Sequence, residues 1–86
     1  MWTLIRVLVN GDEEDSNGQR VAISLGKWND EPDLAMRWNG TEKSPIGTPQ
    51  SRGLPTWFII PKRLEEALIK TLPMAEQNIV ITLLKG

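Results

Sequence analysis

The chain has 86 residues, with 10 Lys+Arg against 11 Asp+Glu, a formal net charge of -1, a hydrophobic fraction of 40%, and neither cysteine nor histidine. That length allows one small domain, spanning residues 1–86, whose thin core would gain from dimerisation. The missing residue types exclude a disulfide framework, a thiolate nucleophile, a Cys/His zinc site and any histidine base.

Trp2 to Val9 reads as a strand, rich in Ile, Val, Leu and Trp. Its cleaner core face presents Thr3, Ile5, Val7 and Val9, and the other presents Trp2, Leu4, Arg6 and Leu8. Asn10 to Gly18 is a polar loop containing Asp12, Glu13, Glu14 and Asp15, with turn signals at Asn10-Gly11 and Asn17-Gly18. Arg20 to Gly26 is the second strand, with Val21, Ile23 and Leu25 on one face. Asn29 to Asp33 makes a turn containing Pro32, and Leu34 to Trp38 is the third strand, ended by Asn39-Gly40.

Thr41 to Pro55 reads as a long loop holding Pro45, Pro49, Pro55, Gly47, Gly53, Lys43 and Arg52. Compact domains seldom keep such a loop without a use for it. Thr56 to Ile60, with Trp57 and Phe58, is a fourth strand. Pro61 suits a first helical position, and a helix then runs to about Leu72 with Leu64, Ala67, Leu68 and Leu72 on its apolar stripe. Glu65 and Glu66 lie near its positive end, and Pro73 stops it. Asn78 to Leu84 reads as a short fifth strand, with Ile79, Ile81 and Leu83 on one face. Strands grouped before a helix predict an α+β fold, an antiparallel sheet of four strands followed by a helix and that fifth strand.

No apolar run is long enough to span a bilayer, and the N-terminus lacks the pattern of a signal peptide. A soluble, cytoplasmic protein is therefore expected.

The overall charge hides an asymmetry. Residues 1–19 hold one base and four acids, residues 20–63 seven bases and four acids, and residues 64–86 two bases and three acids. The middle section also holds Trp28, Trp38 and Trp57. A sheet that binds single-stranded nucleic acid needs cations along the phosphate path and flat side chains for unpaired bases. Lys27, Trp28, Arg37, Trp38, Lys43 and Arg52 are the candidates for that work.

Each has a plainer reading. Tryptophan in a small domain is commonly core, and this applies most to Trp57 and Trp38. Arg37 in mid-strand opposite Trp38 is a solvated-face residue or a ligand contact. Lys43 and Arg52 are ordinary loop charges, and the 12–15 acidic run is a solvated loop, whose functional reading is repulsion of nucleic acid from that side or a partner contact.

Enzymatic readings find little support. Asp30, Glu31 and Asp33 around one turn, and Glu65 and Glu66 on a helix, lack the spacing of a paired-carboxylate site. The 12–15 run lacks the spacing of a calcium loop. Gly26-Lys27 follows no phosphate-loop pattern. No catalysis, metal or cofactor is expected.

Arg20-Val21, Gly26-Lys27-Trp28-Asn29 and Asp33-Leu34-Ala35-Met36-Arg37-Trp38 together resemble the transcriptional coactivator PC4 family, most closely its small bacterial and phage relatives. Ser51-Arg52-Gly53-Leu54 is similar to the basic-Gly-hydrophobic step into the fourth strand of that family, and Leu64 to Leu72 to its helix. The likeness spans residues 20–72 and its motifs are short. It implies a strongly curved four-stranded sheet, a homodimer joined through the helices, and binding of single-stranded DNA without sequence preference, in transcription, replication or recombination. By position, Arg37 and Trp38 match the arginine and aromatic of the third strand, Arg52 a basic loop residue, and Lys27 one near the preceding turn. The proline-rich 39–55 loop, Pro61-Lys62-Arg63 and the strand-like tail depart from the family pattern.

A sequence-nonspecific single-stranded DNA binder, a homodimer with no membrane association, is thus the first expectation. RNA would fit the same platform. A small protein-interaction module or regulatory accessory protein is the alternative, resting on the acidic loop, the near-zero charge and the prolines of 45–55.

Overall fold

Alternating apolar residues on either side of Asn29-Asp30 form the centre of the molecule. β1 (Trp2–Asn10), β2 (Val21–Trp28), β3 (Glu31–Trp38), β4 (Gln50–Ser51), β5 (Leu54–Pro55) and β6 (Phe58–Ile59) precede α1 (Lys62–Ile69) and α2 (Met74–Lys85). The computed structural model describes residues 1–11, 20–40 and 46–85. The acidic 12–15 run and Lys43 lie outside the described residues. One antiparallel sheet has the order β1-β2-β3-β6, and β4-β5 make a separate hairpin. This is the α+β fold that the grouping of strands predicts.

β2 and β3 pair from Val21↔Trp38 to Trp28↔Glu31. Asn29 and Asp30 both have positive φ, 52° and 69°. A two-residue turn of this kind favours such residues because their short polar side chains tolerate the left-handed region. Pairing therefore resumes at Glu31, and Pro32 belongs to β3 rather than to a longer turn. On one face lie Ile23, Leu25, Leu34 and Met36, and on the other Ala22, Ser24, Gly26, Asp33, Ala35 and Arg37. Leu8, Ile23, Leu25, Leu34, Ile60, Leu72 and Val80 form the core, with Val9, Val21, Met36, Leu68, Ile69 and Leu84 packed against it. Both helices thus cover the Ile23–Leu25 face.

β1 departs from the predicted alternation. Its register against β2 shifts between Leu4 and Arg6 and again between Val7 and Val9. Each bulge inserts a residue and reverses which side chains point inward. Leu8 consequently enters the core, while Ile5 and Val7 remain 46% and 43% exposed. Arg6, opposite Leu25, faces α2 and donates to both Glu76 carboxylate oxygens, Nε to Oε2 and Nη2 to Oε1, each at 2.8 Å. That bidentate bond holds the Glu76 carboxyl below its usual range and raises the Arg6 guanidinium.

The fifth strand expected over 78–84 is instead helix, the greater part of α2. The β-branched run Ile79-Val80-Ile81-Thr82 suggests a strand, but tertiary packing overrides that propensity. Val80 is fully buried and Leu84 packs on the core one turn later, the spacing of a helix face. The predicted fourth strand shrinks to Phe58–Ile59, opposite Met36 and Ala35, and the Ile60 amide extends it by donating to the Leu34 carbonyl at 2.8 Å. α1 is shorter than predicted, and Leu72 enters the core from the turn that follows it.

The Trp2 ring lies over Gly26, where a Cβ would collide with it and would sit 2.5 Å from the Thr3 carbonyl oxygen. Gly26→Ala is expected to destabilise the fold by about 1–3 kcal/mol, the usual range for overpacking. A urea titration followed by tryptophan emission checks it, and an unchanged midpoint would contradict the packing.

Candidate nucleic-acid interface

The sequence candidates among the described residues do not converge. Lys27 is exposed at the end of β2, on the face shared with Leu25. Trp28, 44% exposed, points to the opposite face, which it shares with Trp2, its partner across the β1–β2 pair. Trp38, 52% exposed, shares a face with Met36 at the other end of β3. The residue opposite Trp28 is Glu31, so the two exposed indoles are separated by about 23 Å of strand at 3.3 Å per residue, on opposite faces. Trp57 is half-buried.

Arg37 requires a correction. The sequence allows it to be a solvated or ligand-contacting cation, but it is buried at 7% exposure on the Ala22–Ser24 face. Nη1 donates to the Thr56 carbonyl at 3.0 Å, and Nη2 donates to the Ile46 carbonyl. Buried carbonyls in irregular backbone need donors, and a guanidinium supplies several in one plane. Arg37 therefore ties Ile46, within the segment that the sequence reads as a loop, to Thr56 just beyond its end. Beside it, Trp38 and Thr48 exchange backbone hydrogen bonds of 2.7 and 3.0 Å. Gly47 has φ +75°, and a Cβ there would collide with the Trp38 carbonyl and lie 2.8 Å from Arg37 Nη2. Only glycine fits both the conformation and the space.

This bracing positions a groove that the sequence did not reveal. Met36, Arg37, Trp38, Thr48, Pro49 and Phe58 line a volume of about 330 Å³. Phe58, directly opposite Met36, is 57% exposed, so two aromatic side chains border an open apolar recess. Phe58 reads from sequence only as a member of the fourth strand. Its exposure follows from β6 being a two-residue edge strand, which the run Trp57-Phe58-Ile59 does not show.

The groove's rim carries β4–β5. Pro49 stands at one base of this hairpin, and the chain returns to the groove at Phe58. Gln50 Nε2 donates to the Gly47 carbonyl at 2.7 Å, and the Thr56 amide donates to the Pro49 carbonyl at 3.1 Å. Every residue from Gln50 to Pro55 is exposed. Arg52 occupies the tip and makes no ion pair or hydrogen bond among the described residues.

A second recess adjoins the first through Met36. Met36, Ile60, Leu64, Ala67, Leu68 and Thr71 enclose about 280 Å³. α1 has no fully buried residue, and Leu64 is 53% exposed. At the start of α1, Lys62 Nζ lies 2.9 Å from Asp33 Oδ1 and 3.3 Å from Glu65 Oε1, and donates to the Pro32 carbonyl at 3.0 Å. The bond to Asp33 raises the Lys62 pKa. Burial pushes the Glu65 carboxyl up against the opposing pull of Lys62.

Among the described residues, no group of three or more acidic side chains is placed to hold a metal ion. No described helix is long and apolar enough to cross a membrane. Comparison with protein-family models, curated proteins and solved structures gives no match.

Proposed function

We propose that this protein is a non-catalytic binder of single-stranded DNA that works as a homodimer. The observation that carries the reading is the pair Trp38 and Phe58, exposed on either side of one groove. Unpaired bases stack on such side chains at about 1–3 kcal/mol per base, with little regard to sequence. Both rings stand in water beside one apolar recess instead of in the core. The exposed apolar stripe of α1, with Leu64 and Ala67 at its surface, supports pairing of two copies through their helices.

The cations take a smaller part than the sequence suggests. Arg37 acts by holding the groove's walls rather than by meeting phosphate. Lys27 and Arg52 are exposed on separate hairpins, Lys27 beside the β2–β3 turn and Arg52 at the β4–β5 tip. This separation is what favours the second reading, a module that holds an apolar peptide in the same groove.

The test is a titration of fluorescein-labelled thymidine homo-oligonucleotide by anisotropy, at low and moderate salt. Binding that weakens with salt is expected, with sedimentation of the protein as twice the chain mass. An absence of binding at low salt overturns the reading, and loss of binding in Trp38→Ala but not Trp28→Ala assigns it to the groove.

A further inference from the structure

The β4–β5 turn is built from an unusual residue. Arg52 has φ +53° and Gly53 φ +76°, so both central positions lie in the left-handed region. The β2–β3 turn makes the same geometry from Asn29 and Asp30. Asparagine, aspartate and glycine suit these positions, whereas a long side chain there is held at an energetic disadvantage. A Cβ at Gly53 would meet nothing within 4 Å, so this tip is not crowded by neighbouring structure. Among the described residues, the Arg52 guanidinium forms no ion pair or hydrogen bond. A strained, unpartnered cation contributes no evident stability to the native state, and strain of this kind gathers where function uses it.

Its placement indicates the use. The hairpin rises from Pro49 and returns to Phe58, so its two legs are continuous with two walls of the aromatic groove. From Pro49 to Arg52 is three residues, a span of at most about 10 Å at 3.3 Å per residue. Among the described residues, the groove's lining is apolar apart from the Thr48 hydroxyl and the inward-turned Arg37, and includes no exposed cation. A nucleotide strand combines a flat apolar base with an anionic phosphate next to it. The groove matches the first and the tip of the hairpin supplies the charge for the second.

We infer that β4–β5 is a phosphate-contacting arm, with Arg52 pairing the phosphate next to a base seated between Trp38 and Phe58. This rests on the single-strand reading above and adds to it which residue meets the backbone. Arginine suits the task because its fork matches phosphate oxygens in a plane. The left-handed backbone is then the conformational disadvantage retained for holding that fork at the tip.

Arg52→Asn separates the two roles, because Asn-Gly is a favoured pair for this turn. The variant is expected to unfold at an equal or higher urea concentration than wild type. Its affinity for the thymidine homo-oligonucleotide should be about fivefold weaker at low salt, and its log-affinity against log-salt slope shallower by about 0.7 per protomer, the loss of one single-strand phosphate contact. Arg52→Lys, which keeps the charge, should retain most of the slope. Wild-type binding with an Arg52→Asn variant of equal affinity and slope overturns the arm while leaving the single-strand reading intact. Failure of the wild type to bind at low salt overturns both.

Discussion

Arg37→Leu is expected to destabilise the protein by about 2–4 kcal/mol, since it leaves the Thr56 and Ile46 carbonyls without their donor at about 1–3 kcal/mol for each unsatisfied group. Leucine keeps the aliphatic volume on the Ala22–Ser24 face, so the loss reports the hydrogen bonds rather than a cavity. Arg37→Lys should recover little, because an ammonium is a compact donor and does not span two carbonyls as the fork does. The midpoint of urea denaturation measures both effects. A ligand-contacting arginine would behave in the opposite way, with stability unchanged and the salt slope of oligonucleotide binding reduced. The structural role predicts an unchanged slope when affinity is corrected for the folded fraction.

The second large effect falls at the start of α1. Asp33 and Glu65 have side chains only 10% and 14% exposed, and Lys62 is the cation between them. Lys62→Met leaves two mostly buried carboxyls facing each other. Breaking a buried pair costs about 3–5 kcal/mol and an exposed one about 0–1, so with Lys62 itself 60% exposed a loss of about 2 kcal/mol is expected at neutral pH. Burial already raises the Glu65 pKa in the folded state, and removing Lys62 raises it further.

The sign of the pH dependence follows from that direction. A carboxyl whose folded pKa exceeds its unfolded value disfavours the folded state above the folded pKa, and the penalty disappears as pH falls below the unfolded one. The difference between Lys62→Met and wild type should therefore shrink on acidification. The raised pKa of Lys62 means that its own contribution is complete below the ordinary lysine range and is lost only as pH rises through the folded value. Glu65→Gln in the Lys62→Met background should restore part of the stability at neutral pH. Denaturation midpoints of the three proteins across pH check this, and a difference that grows as pH falls would contradict it. The Arg6–Glu76 bond runs in the usual carboxylate direction: Glu76 is lowered, so its contribution is present above the ordinary carboxylate pKa and lost as pH falls through the folded one.

Particular residues show why some of this was legible in the sequence and some not. Val21, Ile23 and Leu25 alternate without interruption, and Asn29-Asp30 is turn chemistry, so the central hairpin follows from local rules. β1 has the same apolar content, but its two register shifts occur at Leu4–Arg6 and Val7–Val9, where no glycine marks a bulge. The inward face there depends on pairing with β2 and not on β1 alone. In α2, strand-forming side chains occupy a helix because Val80 and Leu84 find the core only at helical spacing. Tertiary contacts decide that element against its propensity.

The candidate site divides in the same way. Trp38 and Arg52 were visible as candidates, with a core tryptophan and an ordinary loop charge as their plainer readings. That Arg37 turns inward was not, because its acceptors at Ile46 and Thr56 are brought to it only when the intervening segment folds into a hairpin. Phe58 was hidden for a related reason: its partner Met36 identifies the face, and only the shortness of β6 leaves the ring in water. Trp28 and Trp38 are both stacking candidates in sequence, yet the β2–β3 pair places them at opposite ends and on opposite faces.

The four tryptophans carry four indole N–H groups, which report separately on which ring meets the base. An NMR titration of nitrogen-15-labelled protein with the thymidine homo-oligonucleotide follows each of them, after assignment by single Trp→Phe variants. A large, saturable shift of the Trp38 indole is expected, with little change at Trp2, whose Nε1 is buried. Shifts confined to Trp28, or four unmoved resonances at low salt and saturating oligonucleotide, would contradict it.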